Sequence, residues 1–168
     1  MNYFKDALSR YEEIKEKKGT AMAYNNIGEV LKYLGNYPEA LANYNRSLNI
    51  YEELGDKKGM ATSNMTIGIM HSLQGNYPAA LELHFKALEI LAEIGAKAEI
   101  AKANMSVANA YNYMGNYPKA LEYYYKAMKM AEELGIRSLL AKCHNNIGTI
   151  HKSLSEYQEA MKSYQSAL

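Results

Sequence analysis

The tetrapeptide Gly-Asn-Tyr-Pro occurs at residues 35–38, 75–78 and 115–118, and a degenerate copy, Ser155-Glu156-Tyr157-Gln158, falls in the same register. A fixed period of 40 residues restricts the chain to an array of stacked, near-identical supersecondary units. Each unit buries its apolar side only against its neighbours, so the 168 residues count repeats rather than independent globular domains.

Further positions recur at the same spacing. Ala21, Ala61, Ala101 and Ala141 precede Ile27-Gly28, Ile67-Gly68, Val107-Ala108 and Ile147-Gly148. After the turn come Ala40, Ala80, Ala120 and Ala160, then Tyr44, His84, Tyr124 and Tyr164, then Leu48, Leu88, Met128 and Leu168. Spacings of three, four and seven are helical. Gly35, Gly75 and Gly115 suit a left-handed helix end, and Asn36, Asn76 and Asn116 suit N-caps. Pro38, Pro78 and Pro118 fit the first turn of the following helix, and Glu39, three residues after Asn36, has the spacing of a capping box. Each unit is therefore predicted to be a helical hairpin. First helices are expected over residues 20–34, 60–74, 100–114 and 140–154, and second helices over 38–54, 78–94, 118–134 and from 158 onward. Small residues (Gly28, Gly68, Ala40, Ser47, Ala80, Ala87) are expected to let helix backbones approach closely.

The run Ala120-x-x-x-Tyr124-x-x-Ala127, repeated with Ser47 at its last place in the first unit, resembles the tetratricopeptide repeat. The resemblance covers the whole chain. It implies an all-α fold, a right-handed superhelix of stacked antiparallel helical hairpins. The period of 40 rather than 34 is similar to the long-repeat subgroup of kinesin light chains, Pins-like polarity adaptors and bacterial aspartate phosphatase regulators. HEAT and armadillo repeats have a comparable period but lack this turn, and a propeller would need strand alternation. One array is expected over 1–168: a partial second helix in 1–19, full repeats in 20–59, 60–99 and 100–139, and a truncated repeat in 140–168. By register Met1 lies partway into the second helix of an upstream repeat, and Leu168 stops the last helix at its middle. Met161, Tyr164, Ala167 and Leu168 would then lie uncovered, as in a fragment of a longer protein or in chains that dimerise or stack end to end.

The resemblance further implies that first helices line a concave groove that binds a protein or peptide, with no cofactor and no catalytic residue. By register the groove face carries Asn25, Asn26, Glu29, Lys32 and Tyr33 in the first unit and Met65, Ile69 and Leu73 in the second. The third contributes Lys102, Met105, Asn109, Asn112 and Tyr113, with Ser106 between them, and the fourth Lys142, Asn145, Asn146 and Lys152. Met65, Ile69 and Leu73 form an apolar stripe that solvent alone would keep polar, an anchor point for a partner. Asparagine amides could pair with an extended backbone, and the excess of lysine over Glu29 favours a mildly acidic ligand. A sensory or regulatory module of a larger bacterial signalling protein is the alternative, as is a self-associating scaffold.

Other chemistry finds little support. A net charge of +1 with mixed signs gives no footprint for nucleic acid or an anionic membrane. No apolar run reaches the roughly 20 residues that cross a bilayer, and a cytoplasmic location is expected. His71, His84, His144 and His151 hold packing positions rather than metal-ligand spacing, and Cys143 occupies a small-residue slot beside Ala23, Ser63 and Ala103. Recurrent acidic pairs such as Glu52-Glu53 read as solvated surface, so no catalytic constellation is expected.

Overall fold

A computed structural model describes residues 2–168, with side chains from Tyr3 onward. Among these residues the chain forms nine α-helices and no strand: α1 (Asn2–Glu13), α2 (Lys17–Tyr33), α3 (Tyr37–Leu54), α4 (Lys57–Leu73), α5 (Tyr77–Glu93), α6 (Lys97–Tyr113), α7 (Tyr117–Glu133), α8 (Arg137–Ser153) and α9 (Tyr157–Ser166). The expected place of Met1 within α1 lies outside the described residues. No helix is long and apolar enough to cross a membrane, among the described residues.

First helices begin three residues earlier than expected, and the turns before α2 and α4 carry their own side-chain caps. Asp56 accepts from the Gly59 amide at 3.0 Å, and Glu16 accepts from Gly19 in the same way. These side chains satisfy amide donors that the first turn cannot pair internally. At the other end Gly35 is left-handed (φ 76°), its amide bonding Lys32 O at 3.0 Å while that of Asn36 bonds Leu31 O at 2.9 Å. This double closure is a Schellman motif. It also explains why Glu39 forms no capping box: the amide it would have to accept from is already committed to Leu31, and Asn36 makes no side-chain cap bond. The degenerate fourth turn keeps the geometry without glycine, holding Ser155 at φ 63°.

The chain divides into two compact units, Met1–Ile90 and Leu91–Leu168, with the boundary inside α5. In the first unit α1 packs on α2, α2 on α3 and α3 on α4. Ile27, Leu31, Tyr44, Leu48, Ile67 and Met70 form its buried centre, and Leu8 and Leu83 pack on the edge. In the second unit α6 packs on α7, α7 on α8 and α8 on α9, with a smaller contact between α6 and α8. Val107, Tyr124, Cys143, Ile147 and Ile150 are buried there. Met161 of α9 and Leu168, beyond its end, are exposed.

One packing expectation needs correction. The helical glycines chiefly make room for aromatic rings, and only at Gly68 does backbone also come close, with Ala80 O 3.2 Å from the Cβ position. A Cβ at Gly28 would lie 2.7 Å from the Tyr44 ring, one at Gly68 2.6 Å from the His84 ring, and one at Gly148 2.8 Å from the Tyr164 ring. Each glycine is a shelf for the aromatic side chain of the second helix, which its own side chain would displace.

Candidate functional site

In three of the four repeats the tyrosine of the second helix, set against Gly28, Ala108 or Gly148, sends its hydroxyl to the outer face of the first helix, fifteen residues earlier in the chain. Tyr44 Oη donates to Glu29 at 2.7 Å, Tyr124 Oη donates to Asn109 Oδ1, and Tyr164 Oη lies 3.3 Å from Thr149 Oγ1. Tyr44 and Tyr124 are thus buried as rings and satisfied at their tips, and Tyr164 is half-buried in the same arrangement. Burial, reinforced by the Glu29 carboxylate, drives the Tyr44 hydroxyl far above its ordinary value. Burial pushes the Glu29 carboxyl up, but bonds from Lys32 and Tyr44 outweigh it and leave that group below its ordinary value.

The second repeat departs from this scheme. His84, buried to 1% exposure, replaces the tyrosine, and Ile69 stands where the acceptor should be. His84 Nδ1 consequently has no hydrogen-bond partner, and burial lowers the imidazole to about 4. Ile69 in turn is 40% exposed and Leu73 52%, with Met65 half-buried beside them on α4. An apolar residue has taken a polar position, leaving a histidine unsatisfied within and apolar surface open without.

The remaining candidate residues of the first unit sort by burial. Asn26 and Tyr33 of α2 are exposed, and Asn25 is half-buried with an unpartnered Oδ1. Asn25 and Met22 share with Thr62 and Gly59 of α4 a small cleft of about 210 Å³, floored by Tyr51. At its edge Lys18 pairs with Asp56 at 2.7 Å, and that bond, ahead of the Gly59 amide, holds the Asp56 carboxyl below its ordinary value. Lys32 is paired with Glu29 at 2.7 Å and lies 5.2 Å from the Tyr33 ring centre. In the first unit the charge of this lysine is thus balanced by the neighbouring carboxylate.

In the second unit Lys102, Tyr113, Lys142, Asn145 and Lys152 are exposed, while Met105 and Asn112 are half-buried. Asn146 Nδ2 donates to Asn109 Oδ1 at 3.1 Å, which joins α8 to α6 and shares the acceptor with Tyr124. These two amides therefore hold neighbouring helices together. Ser106 is buried and bonds Lys102 O, so it leaves the outer face altogether.

Side chains suited to chemistry are placed structurally. Burial raises the Cys143 thiol to about 11, so it stays protonated and unreactive. His151 Nδ1 lies 2.6 Å from Glu156. Among the described residues no group of three His, Cys, Asp or Glu side chains could hold a metal ion. The pairing of second-helix aromatic with first-helix acceptor and the Lys18–Asp56 bridge were both missed in the sequence. A joint reading of positions fifteen residues apart would have exposed the pairing.

The family model for the tetratricopeptide repeat matches residues 2–53, 19–93 and 99–168. The chain belongs to the tetratricopeptide repeat family. No curated protein sequence gives a significant match. Among solved structures, BtubC (BKLC) from P. vanneervenii is 18% identical with a TM-score of 0.84, over 98% of this chain and 68% of that one. Aspartyl phosphate phosphatase F from Bacillus subtilis is 17% identical with a TM-score of 0.89, over 99% of this chain but only 44% of its own. A signal transduction ATPase with a tetratricopeptide repeat sensor, from Pyrococcus horikoshii, is 24% identical with a TM-score of 0.78, over 90% of this chain and 24% of that one. The tetratricopeptide fold is a scaffold for protein interaction, and this chain is a protein-interaction module of that kind.

Proposed function

We propose that this tetratricopeptide array acts without catalysis, and that in its first unit the outer face of α4 receives an apolar anchor from a partner protein. The observation that carries the proposal is Ile69, which is exposed where the other repeats keep a hydrogen-bonding side chain. An intramolecular role would favour a polar residue there, since it would offer His84 a hydrogen-bonding neighbour and leave no apolar side chain in water. Leu73 extends the patch by one turn, and half-buried Met65 adds a side chain that adapts to varied shapes. Asn25 and Asn26 supply amides at the neighbouring α2 face for a peptide backbone.

In the second unit the outer face offers Lys102, Lys142 and Lys152, with Asn112, Tyr113 and Asn145 among them, and suits an acidic segment. Binding of this kind is compatible with either a free adaptor or the sensing part of a larger regulator. The Pyrococcus horikoshii ATPase is described as carrying its repeats as a sensor, which supports the regulatory version. The test is the double variant Ile69→Ser/Leu73→Ser, assayed for partner capture from cells of the source alongside its circular dichroism. Loss of capture with unchanged helicity supports the site; capture equal to that of the unaltered chain refutes it.

A further inference from the structure

A second recess lies on the other side of the first unit, where α1 and α3 flank α2, away from Met65, Ile69 and Leu73. It encloses about 510 Å³. Buried Ile27 and Leu31 and half-buried Leu8 form its apolar floor, and the Tyr24 ring forms one wall. That ring is held in place, its hydroxyl 3.1 Å from Glu12 and its face 5.5 Å from the Arg46 guanidinium. Lys5 and Arg46 stand at the rim with one carboxylate, Glu39.

Comparison with the other repeats shows why the recess is open. The residue that would fill it is Asn43, whose amide turns away to donate to Glu39 O at 2.8 Å. In the second repeat Leu83 holds this position and packs onto the core. In the third, Tyr123 holds it and stacks on Tyr111, which stands in the place of Leu31, at 5.8 Å between ring centres. The second and third repeats plug this position with Leu83 and Tyr123, the fourth carries the small Ser163, and the first leaves it empty over an apolar floor. Volume of this size, apolar lining and a few convergent charged groups are the properties of a small-molecule site.

We infer that the recess beside Asn43 binds a small amphipathic carboxylate, its apolar body on Leu8, Ile27 and Leu31 and its anionic group against Lys5 and Arg46. Glu39 on the same lining offsets one of the two cations, and the remaining single positive charge suits a single negative one. The site is separate from the partner-binding face and does not depend on that reading.

Decanoate, kept below its micellar concentration, is the probe. Titrated into the full chain labelled in its methyl groups, it should shift Leu8, Ile27 and Leu31 and leave Met65 and Ile69 unmoved. Asn43→Tyr, which places the third repeat's plug in the first, should weaken binding by about tenfold or more, and Arg46→Gln by roughly tenfold, as expected for loss of a charge-assisted contact. Decanol and decyl phosphate should both bind more weakly than decanoate. Shifts spread over other methyl groups, an unchanged titration in a folded Asn43→Tyr protein, or decyl phosphate as the tighter probe would each overturn the assignment. Should Asn43→Tyr fail to fold, Asn43→Leu, the second repeat's residue, takes its place, and the methyl map of the unaltered chain decides independently.

Discussion

Acid should unfold the first unit through one side chain, His84. Its imidazole is buried against Gly68 and finds no partner for Nδ1. Burial holds it at about 4 against an ordinary 6.5, so between these values the unfolded chain takes up a proton that the folded chain refuses. Folding stability is therefore complete above pH 6.5, is lost as pH falls towards 4, and levels off below that. At about 1.4 kcal/mol per pH unit the full loss approaches about 3 kcal/mol, of which about 2 kcal/mol should already be gone at pH 5. That pH lies above the ordinary range of carboxylates, and Glu29 and Asp56 are held lower still, so their own acid losses come later. Urea unfolding at pH 7.5 and pH 5.0 should show this difference in the unaltered chain and little of it in His84→Phe. An equal acid loss in His84→Phe, or an NMR titration placing the His84 ring near 6.5, would refute the reasoning.

Repairing the irregular repeat is the complementary experiment. His84→Tyr/Ile69→Asn recreates the Tyr124–Asn109 pair, and a double-mutant cycle in urea should report favourable coupling of about 1 kcal/mol. Ser63 is buried with an unpartnered hydroxyl in the slot that Ala23 and Ala103 fill elsewhere, so Ser63→Ala should raise stability by about 1 kcal/mol, read as a higher urea midpoint. Asp56→Ala removes the cap of α4, and a loss of about 1 kcal/mol with earlier amide exchange at Gly59 and Met60 is expected. Cys143 should resist thiol reagents in the folded chain and react on addition of urea, because its thiol is buried and raised to about 11.

Architecture was legible in the sequence because each repeat obeys the same local constraints. Left-handed Gly35, Gly75 and Gly115 fall where the turn tetrapeptide placed them. Helix starts were misplaced because the caps Glu16 and Asp56 belong to the linking turns, where Ala96 and Ile136 replace them in later repeats and hide the period. The candidate face was legible only as a register. Periodicity places Glu29, Asn109 and Asn146 on the outer helix faces, but it does not reveal that their polar groups are engaged by Tyr44, Tyr124 or each other. The same blindness applies to Asn43, whose meaning emerges only beside Leu83 and Tyr123 and the space it leaves unfilled. Side-chain satisfaction depends on residues brought together by tertiary packing, and spacing along one helix cannot express it.

The partner-binding proposal is tested most directly by a photoactivatable residue at position 69. In the source cells it should form covalent adducts with a partner protein, while the same residue at exposed position 45 of α3 should form none. Adducts at position 45 with none at 69 would contradict it.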